Sequence, residues 1–267
     1  VLESRDKHRL EDLVALQQDE TSLAVNALLG RLQKARSAHP AAAAASAELA
    51  TFDGTMHEGR AAPLIYWAWH RALVHALVSP RIGAERFERS FSQRTFQDAL
   101  EGILQRDDSW WCDNPATPTT ETCEQRVDEA YSAALEELSQ RFGPDVSRWR
   151  WGHAHRMVAE HRPFSKVSAL QPLFELSLPM GGDTHTVHAM RVGLGGPSAL
   201  RYRSTHGPSL KAVYDVAQPQ RSRFIHSSGQ SGLPWRTAYR QWLQPWAQGQ
   251  GVPVWAVADD PPAAVLV

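Results

Sequence analysis

Trp149-Arg150-Trp151-Gly152-His153-Ala154-His155 is the stretch on which the reading of this chain turns. His161 follows six residues on, with Glu160 beside it. Histidines at i and i+2 share a face only on a strand. No carboxylate stands near them at the spacing of a Glu/Asp-x-x-His or His-Glu-x-x-His ligand set. The competing account is plainer: His153, His155 and His161 are core or interface histidines, packed among Trp149 and Trp151 and hydrogen-bonded to backbone.

The pattern of the chain changes around this stretch. Upstream, residues 1–150 read as a helical layer. Leu10, Leu13, Val14 and Gln17 begin an apolar stripe that Ala24, Ala27, Leu28 and Leu32 renew. Ala61, Leu64, Ile65, Ala68, Ala72, Leu73, Ala76 and Leu77 form a second, and Val127, Tyr131, Ala134, Leu135 and Leu138 a third. Breaks are expected at Asp53-Gly54, Ser79-Pro80 and Gly143-Pro144. Downstream, residues 151–267 read as a strand-rich segment, with a period of two from about residue 165. In 184–192, Val187 and Ala189 alternate with Thr186, His188 and Met190. In 210–216, Leu210, Ala212, Tyr214 and Val216 alternate with Lys211, Val213 and Asp215. A short late strand is expected over 252–258. The fold class is therefore α+β, helices first and strands after.

Composition narrows the partners. The 267 residues carry 28 Lys+Arg against 29 Asp+Glu, a formal net charge of -1, so the clustered positive charge that nucleic acid or anionic lipid requires is missing. The most apolar long run, 61–78, is interrupted by His70, Arg71 and His75. It falls short of the roughly 20 apolar residues of a bilayer crossing. The chain begins at Val1 with no basic and apolar leader, so any export signal is expected to have been removed or to lie upstream, and Val1 is expected to be an internal cut.

Cys112 and Cys123 flank a loop rich in Pro, Thr and Asn. With no histidine in the segment, the pair is a poor zinc site, and a disulfide would contribute on the order of 3 kcal/mol by loop closure in an oxidising compartment. Two free thiols beside Trp110 and Trp111 are the alternative.

Other chemistry is sparse. Gly229-Gln230-Ser231-Gly232, with His226 nearby, lacks the Gly-x-Ser-x-Gly spacing of a hydrolase elbow and reads as a tight turn. Asp107-Asp108, Glu136-Glu137 and Asp259-Asp260 are adjacent pairs whose side chains diverge, hence solvated faces. Residues 193–196 match neither glycine-rich phosphate pattern. The acidic residues lack the alternation of a calcium loop. No catalytic, cofactor or metal residue is assigned, and no cofactor is expected.

The order of the segments carries a resemblance. Trp149 to His155, His161, Gly181-Gly182-Asp183-Thr184-His185-Thr186-Val187, Gly207-Pro208-Ser209-Leu210-Lys211-Ala212-Val213-Tyr214-Asp215-Val216 and Ser228-Gly229-Gln230-Ser231-Gly232 occur in the order seen in the penicillin acylase (penicillin amidase) family. Upstream, Asp12-Leu13 through Gln17, Asp19, Ser22, Phe52-Asp53-Gly54-Thr55-Met56 and the cysteine loop also resemble it, particularly its exported bacterial members. Two places depart: His161-Arg162-Pro163 stands where the family usually runs His-Pro, and Pro234-Trp235-Arg236-Thr237-Ala238-Tyr239 where it commonly shows Ser-Pro-His-Tyr, keeping only Tyr239.

The resemblance implies the C-terminal half of the β chain of an N-terminal-nucleophile hydrolase, the late part of an αββα sandwich. Such enzymes are precursors that cut themselves and expose a serine. Its hydroxyl attacks an amide carbonyl while its own α-amine serves as base, and backbone N–H and an asparagine hold the oxyanion. Val1 has the amine and no hydroxyl, and Asn26 and Asn114 sit in the wrong motifs to be that asparagine. The implied parent is a periplasmic or secreted acyl-amide hydrolase of penicillin-type or N-acyl-homoserine-lactone-type substrates. This chain would be its scaffold, inactive alone and needing the remaining acylase segments or self-association to cover its sheet. A non-catalytic extracytoplasmic interaction domain, or a degenerate fragment with a partner, is the alternative.

Overall fold

The structure is a computed structural model that describes residue 3 and residues 6–255. Helices α1 (Leu10–Leu16), α2 (Val25–Lys34), α3 (Ala42–Ala50), α4 (Ala62–Ile82), α5 (Ala84–Ser90), α6 (Gln97–Arg106), α7 (Ser109–Cys112) and α8 (Cys123–Phe142) form the first half. Helix α8 shows how sequence makes them. Thr122 and Gln125 close a reciprocal capping box, with bonds of 3.2 and 2.8 Å, and Val127, Tyr131, Ala134, Leu135 and Leu138 then fall on one buried face. That face packs on α4, whose consecutive Tyr66, Trp67, Ala68 and Trp69 are all buried. From Ala62 to His70 every residue of α4 is buried, so this end of the helix lies in the middle of the core.

Two expected helix boundaries move. The break at Ser79-Pro80 does not occur, and α4 continues to Ile82 before Gly83 ends it at φ +88°. Pro80 has no N–H to offer the carbonyl of Ala76, and Arg126 Nη2 donates to that oxygen instead, at 2.8 Å. The stripe from Leu10 to Leu32 is not one helix, because residues 17–24 leave α1 to bond with the far end of the chain. Gln17 Nε2 donates to Ala212 O at 2.8 Å and Gln18 Nε2 to Ala247 O at 2.7 Å.

Cys112 closes α7 and Cys123 opens α8, and a disulfide joins them with Cα atoms 4.9 Å apart. The bridge leaves neither thiol free nor available to a metal. No helix among the described residues is long and apolar enough to cross a membrane.

After the short helix α9 (Trp151–Ala154), strands begin at Arg156, before the expected residue 165. Strands β1 (Arg156–Ala159), β2 (Leu176–Pro179), β3 (Arg191–Val192) and β4 (Ser204–His206) form one sheet in the order β2-β1-β4-β3. It is antiparallel except where Met157 of β1 pairs Ser204 of β4 in parallel. Strands β5 (Leu210–Val213), β6 (Arg223–His226) and β7 (Val252–Pro253) form a second, antiparallel sheet in the order β5-β6-β7. Helix α10 (Gln171–Phe174) lies between β1 and β2, and α11 (Leu243–Ala247) between β6 and β7.

Burial alternates in both stretches, but only part of each is strand. Residues 184–188 are turns and bends rather than strand, and only Arg191–Val192 pairs; Thr186, His188 and Met190 are buried while Val187 is 56% exposed. In 210–216 the strand stops at Val213, with Lys211 and Val213 inside and Leu210, Tyr214 and Val216 outside. Polar groups face inward at both places because each finds a partner there, described below. The late strand is confined to Val252–Pro253. Its expected continuation through 256–258 lies outside the described residues, as do Val1 and Asp259-Asp260.

The main core runs from α4 and α8 through Trp149 and Trp151 to Val192, Leu194 and Tyr202, so helices and strands share it across residue 150. A second cluster, including Met157, Met190, Ile225 and Trp246, joins the two sheets.

Candidate functional site

Five of the segments singled out by their order in the sequence, 17–22, 52–56, 149–155, 181–187 and 207–216, meet in one buried seam. Ser22 N donates to Gly54 O, Met56 N to Glu20 O and Gly182 N to Met56 O, each at 2.9 Å, and His188 N donates to Asp19 O at 2.9 Å. Trp151 Nε1 donates to Gly182 O at 3.1 Å, and Met180 N to His155 O at 3.0 Å. Glycine is required at 182, where φ is +73° and a Cβ would overlap the carbonyl of His188. At 181 a Cβ would overlap the carboxylate of Glu20, so the missing side chain is the space Glu20 fills.

Three groups of this seam, Asp183, His155 and Lys211, titrate away from their ordinary values. Asp183 is fully buried, and Oδ1 accepts from His185 N at 2.7 Å. Burial raises its carboxyl above the usual range, against the opposing pull of the His185 amide, the Ser22 hydroxyl, the charge of His185 and the Trp67 indole. His155 is stacked on Trp151, ring centroids 4.3 Å apart, and donates Nδ1–H to Tyr202 O at 2.7 Å. Burial lowers it to about 4, so it is neutral at pH 7.

The third is Lys211, on β5. Its ammonium donates to Gln18 Oε1, to His188 Nε2 at 3.2 Å and to Trp246 O at 3.2 Å, and stands 4.7 Å over the Trp246 ring. Burial lowers it to about 8, with the charge of Glu20 acting in the opposite direction. A His188 that accepts on Nε2 carries its proton on Nδ1, the atom that faces Glu20 Oε1 at 3.5 Å. Glu20 and Lys211 thus lie against opposite ring nitrogens of His188, and this chain of contacts ties the segment after α1 to β5.

The histidines of the opening stretch are not brought together. His153 is exposed on α9 and His155 is buried at its end, while His161 bonds Tyr239 Oη at 3.1 Å and packs edge-on against Phe174. Among the described residues no three His, Cys, Asp or Glu side chains are grouped to hold a metal ion. The Gly229 turn is a close backbone approach, in which Gly229 N donates to Tyr239 O at 2.9 Å and Ser231 Oγ accepts from Leu233 N at 3.1 Å. His226 stacks on Trp242 instead of facing Ser231. The carboxylate pairs diverge as well. Asp107 meets Arg31 at 3.2 Å while Asp108 caps α7, and Glu136 meets His39 at 3.3 Å while Glu137 meets Arg71 and Arg201 at 3.3 and 3.4 Å.

A cleft of about 130 Å³ between the sheets is lined by Ser204, His206, Ser209 and Ser227 among others. His206 makes no side-chain hydrogen bond to any of these serines, so the cleft holds hydroxyls without an aligned base. The buried groups bind and orient backbone, and none presents a nucleophile to solvent. Glu20, Asp183, His188 and Lys211 were not singled out as a group from the sequence. The one signal was Lys211 between two apolar neighbours in an alternating strand.

The family model for penicillin amidase matches residues 1–261. The chain belongs to the penicillin amidase family. Among its curated relatives, the acyl-homoserine lactone acylase QuiP of Pseudomonas aeruginosa is 24% identical over 276 residues, covering 92% of this chain and 32% of QuiP. The penicillin acylase 2 proenzyme of Pseudomonas sp. (strain SE83) is 29% identical over 215 residues, 77% of this chain and 26% of the proenzyme. The chain therefore spans about a third of the length of the curated relatives it matches. The solved thermostable penicillin G acylase from Alcaligenes faecalis superposes with a TM-score of 0.54 at 13% identity, over 99% of this chain and 50% of that one. The penicillin amidase fold thus extends over the whole helical layer and both sheets.

Proposed function

We propose that this chain is the C-terminal part of the catalytic subunit of an exported acyl-amide hydrolase that takes penicillin-type or N-acyl-homoserine-lactone-type amides. The nucleophile is an N-terminal serine supplied by polypeptide outside these residues and exposed when a precursor cuts itself. Its hydroxyl adds to the amide carbonyl while its α-amine takes the proton. The amine then leaves with a proton, and water releases the acid from the acyl-enzyme. The chain's own part is to hold the scaffold.

The observation that carries this reading is the family match over residues 1–261 in a chain that covers a third or less of its relatives, such as 32% of QuiP and 26% of the penicillin acylase 2 proenzyme. That these relatives are an acyl-homoserine lactone acylase and a penicillin acylase supports the substrate class. The Cys112–Cys123 disulfide supports a periplasmic or secreted location, since such bonds persist in oxidising compartments. The test is hydrolysis of a chromogenic acyl amide. The 267-residue chain is expected to show no turnover, and the product of the complete reading frame is expected to be active and to lose activity when its N-terminal serine is replaced. Serine-dependent turnover by the 267-residue chain alone would overturn the assignment. So would a reading frame that starts just before Val1, which would favour a non-catalytic interaction domain.

A further inference from the structure

Glu137, on the last turns of α8, stands among arginines. Its Oε2 meets Arg71 Nη1 at 3.3 Å and Arg201 Nη1 at 3.4 Å, and its Oε1 accepts from Tyr202 Oη at 2.8 Å. Arg141, one turn further along α8, bonds carbonyls and no carboxylate among the described residues. Arg203, just before β4, bonds no carboxylate there either, and Glu136 is turned to His39 and Gln140. The four guanidiniums thus have one bonded carboxylate between them. Burial holds the Arg141 guanidinium below its ordinary value; the charges of Arg201 and Arg203 act the same way, and Tyr202 and Glu137 oppose them. Half-buried charges are normally paired, and an excess of one sign is costly where water is partly excluded.

The guanidinium forks are already held in place. Arg71 Nε donates to Leu194 O at 2.9 Å and Arg201 Nε to Gly196 O at 3.3 Å, while Arg141 Nη1 and Nη2 donate to Arg201 O and Ala199 O, each at 3.2 Å. All four acceptors lie in 194–201, between β3 and β4. Arg141 also lies over the Phe142 ring, 4.8 Å from its centroid. Arg201 Nη2 and Arg141 Nε keep no acceptor among the described residues. A groove of about 570 Å³, lined by both arginines, Gln140 and Ser198, opens between α8 and the turn Ser198–Leu200.

We infer that this groove is an oxyanion site that takes a phosphate dianion, free or carried on an organic monoester, between Arg141 and Arg201. A dianion offsets the positive excess that Glu137 leaves, where a monoanion would offset less of it. Planar guanidinium forks meet two phosphate oxygens at once, and forks fixed beforehand lose little entropy on binding. The inference does not depend on the acyl-amide reading, since none of these arginines lies in the buried seam.

The test is calorimetric titration of the protein made from the complete reading frame, at constant ionic strength, with inorganic phosphate, glycerol phosphate and acetate in separate runs. Acetate is expected to bind at least about tenfold more weakly than phosphate. Saturable binding of inorganic phosphate alone identifies the free ion as the ligand, and tighter binding of glycerol phosphate identifies the monoester; either supports the site. Arg203→Gln removes a charge but no side-chain bond made in the fold. The melting temperature should therefore hold while phosphate binding weakens several-fold, most clearly at low ionic strength. Glu137→Gln keeps the shape and removes the competing charge, so it should tighten phosphate binding about tenfold even where it lowers the melting temperature. Arginines that serve only to pin 194–201 would give no such gain. No heat beyond that of chloride at the same ionic strength, or phosphate binding that neither variant changes, would overturn the inference.

Discussion

Replacing Lys211 with methionine should change how stability depends on pH. In the folded chain, burial brings the ammonium from 10.5 to about 8. Between those values the unfolded chain binds more protons than the folded one, so stability rises with pH across the window and the full penalty for the buried charge is present below pH 8. For one group with these two constants, the gain between pH 7 and pH 10 is about 2–3 kcal/mol. Lys211→Met keeps the length and the contact with Trp246 but has nothing to titrate. Its stability at pH 7 mixes relief of the buried charge with the loss of donors to Gln18 and Trp246, so the informative quantity is the slope. Urea unfolding of both proteins at pH 7, 8, 9 and 10 should show the stability of the wild type relative to the variant rising by about 2–3 kcal/mol. Tyr66 and Tyr202, raised mainly by burial, pull the other way near pH 10, but equally in both proteins. A difference that stays flat over the range would refute the reasoning and mean that Glu20 and His188 stabilise the ammonium fully.

The disulfide gives a second test. With a sequence separation of 11 residues, loop closure is worth about 3 kcal/mol, so Cys112→Ser with Cys123→Ser should lower unfolding stability by that amount, measured by urea melts without reductant. Gly182→Ala forces a side chain into a left-handed backbone position and against the His188 carbonyl. It should cost about 2–4 kcal/mol and lower the melting temperature by several degrees, while Gly30→Ala, on an open face of α2, should leave it unchanged or raise it.

What could be read in advance followed the periodicities and the order of motifs. The stripe from Val127 to Leu138 became one face of α8, because nothing but local spacing and a cap was needed to define it. The helix runs through Pro80 because Arg126, 50 residues along the chain from Ala76, supplies the donor that Pro80 lacks, and no local window contains it. The inward-facing polar residues of 184–192 and 210–216 have the same origin. Alternation shows that two faces exist, and which one is inside depends on partners such as Gln18, Trp246 and Glu20 that no local window contains. The seam was legible as a set of motifs in order and illegible as chemistry, since Glu20, His188 and Lys211 are drawn from three separate regions of the chain.

The long reach of the seam bears on how the chain must be made. Its closing bonds join Asp19 to His188, Gln17 to Ala212 and Gln18 to Ala247, the last across 229 residues. A polypeptide emerging N-terminus first, from a ribosome or a translocation pore, therefore presents α4 with Trp67 and Trp69 long before the residues that seal them have appeared. During that interval α4 is covered by its helical neighbours alone and the loop-closure entropy is still unpaid. Recovery of folded protein should thus be limited by what shields α4 while synthesis proceeds, and slowing elongation before residue 190 should favour aggregation over maturation.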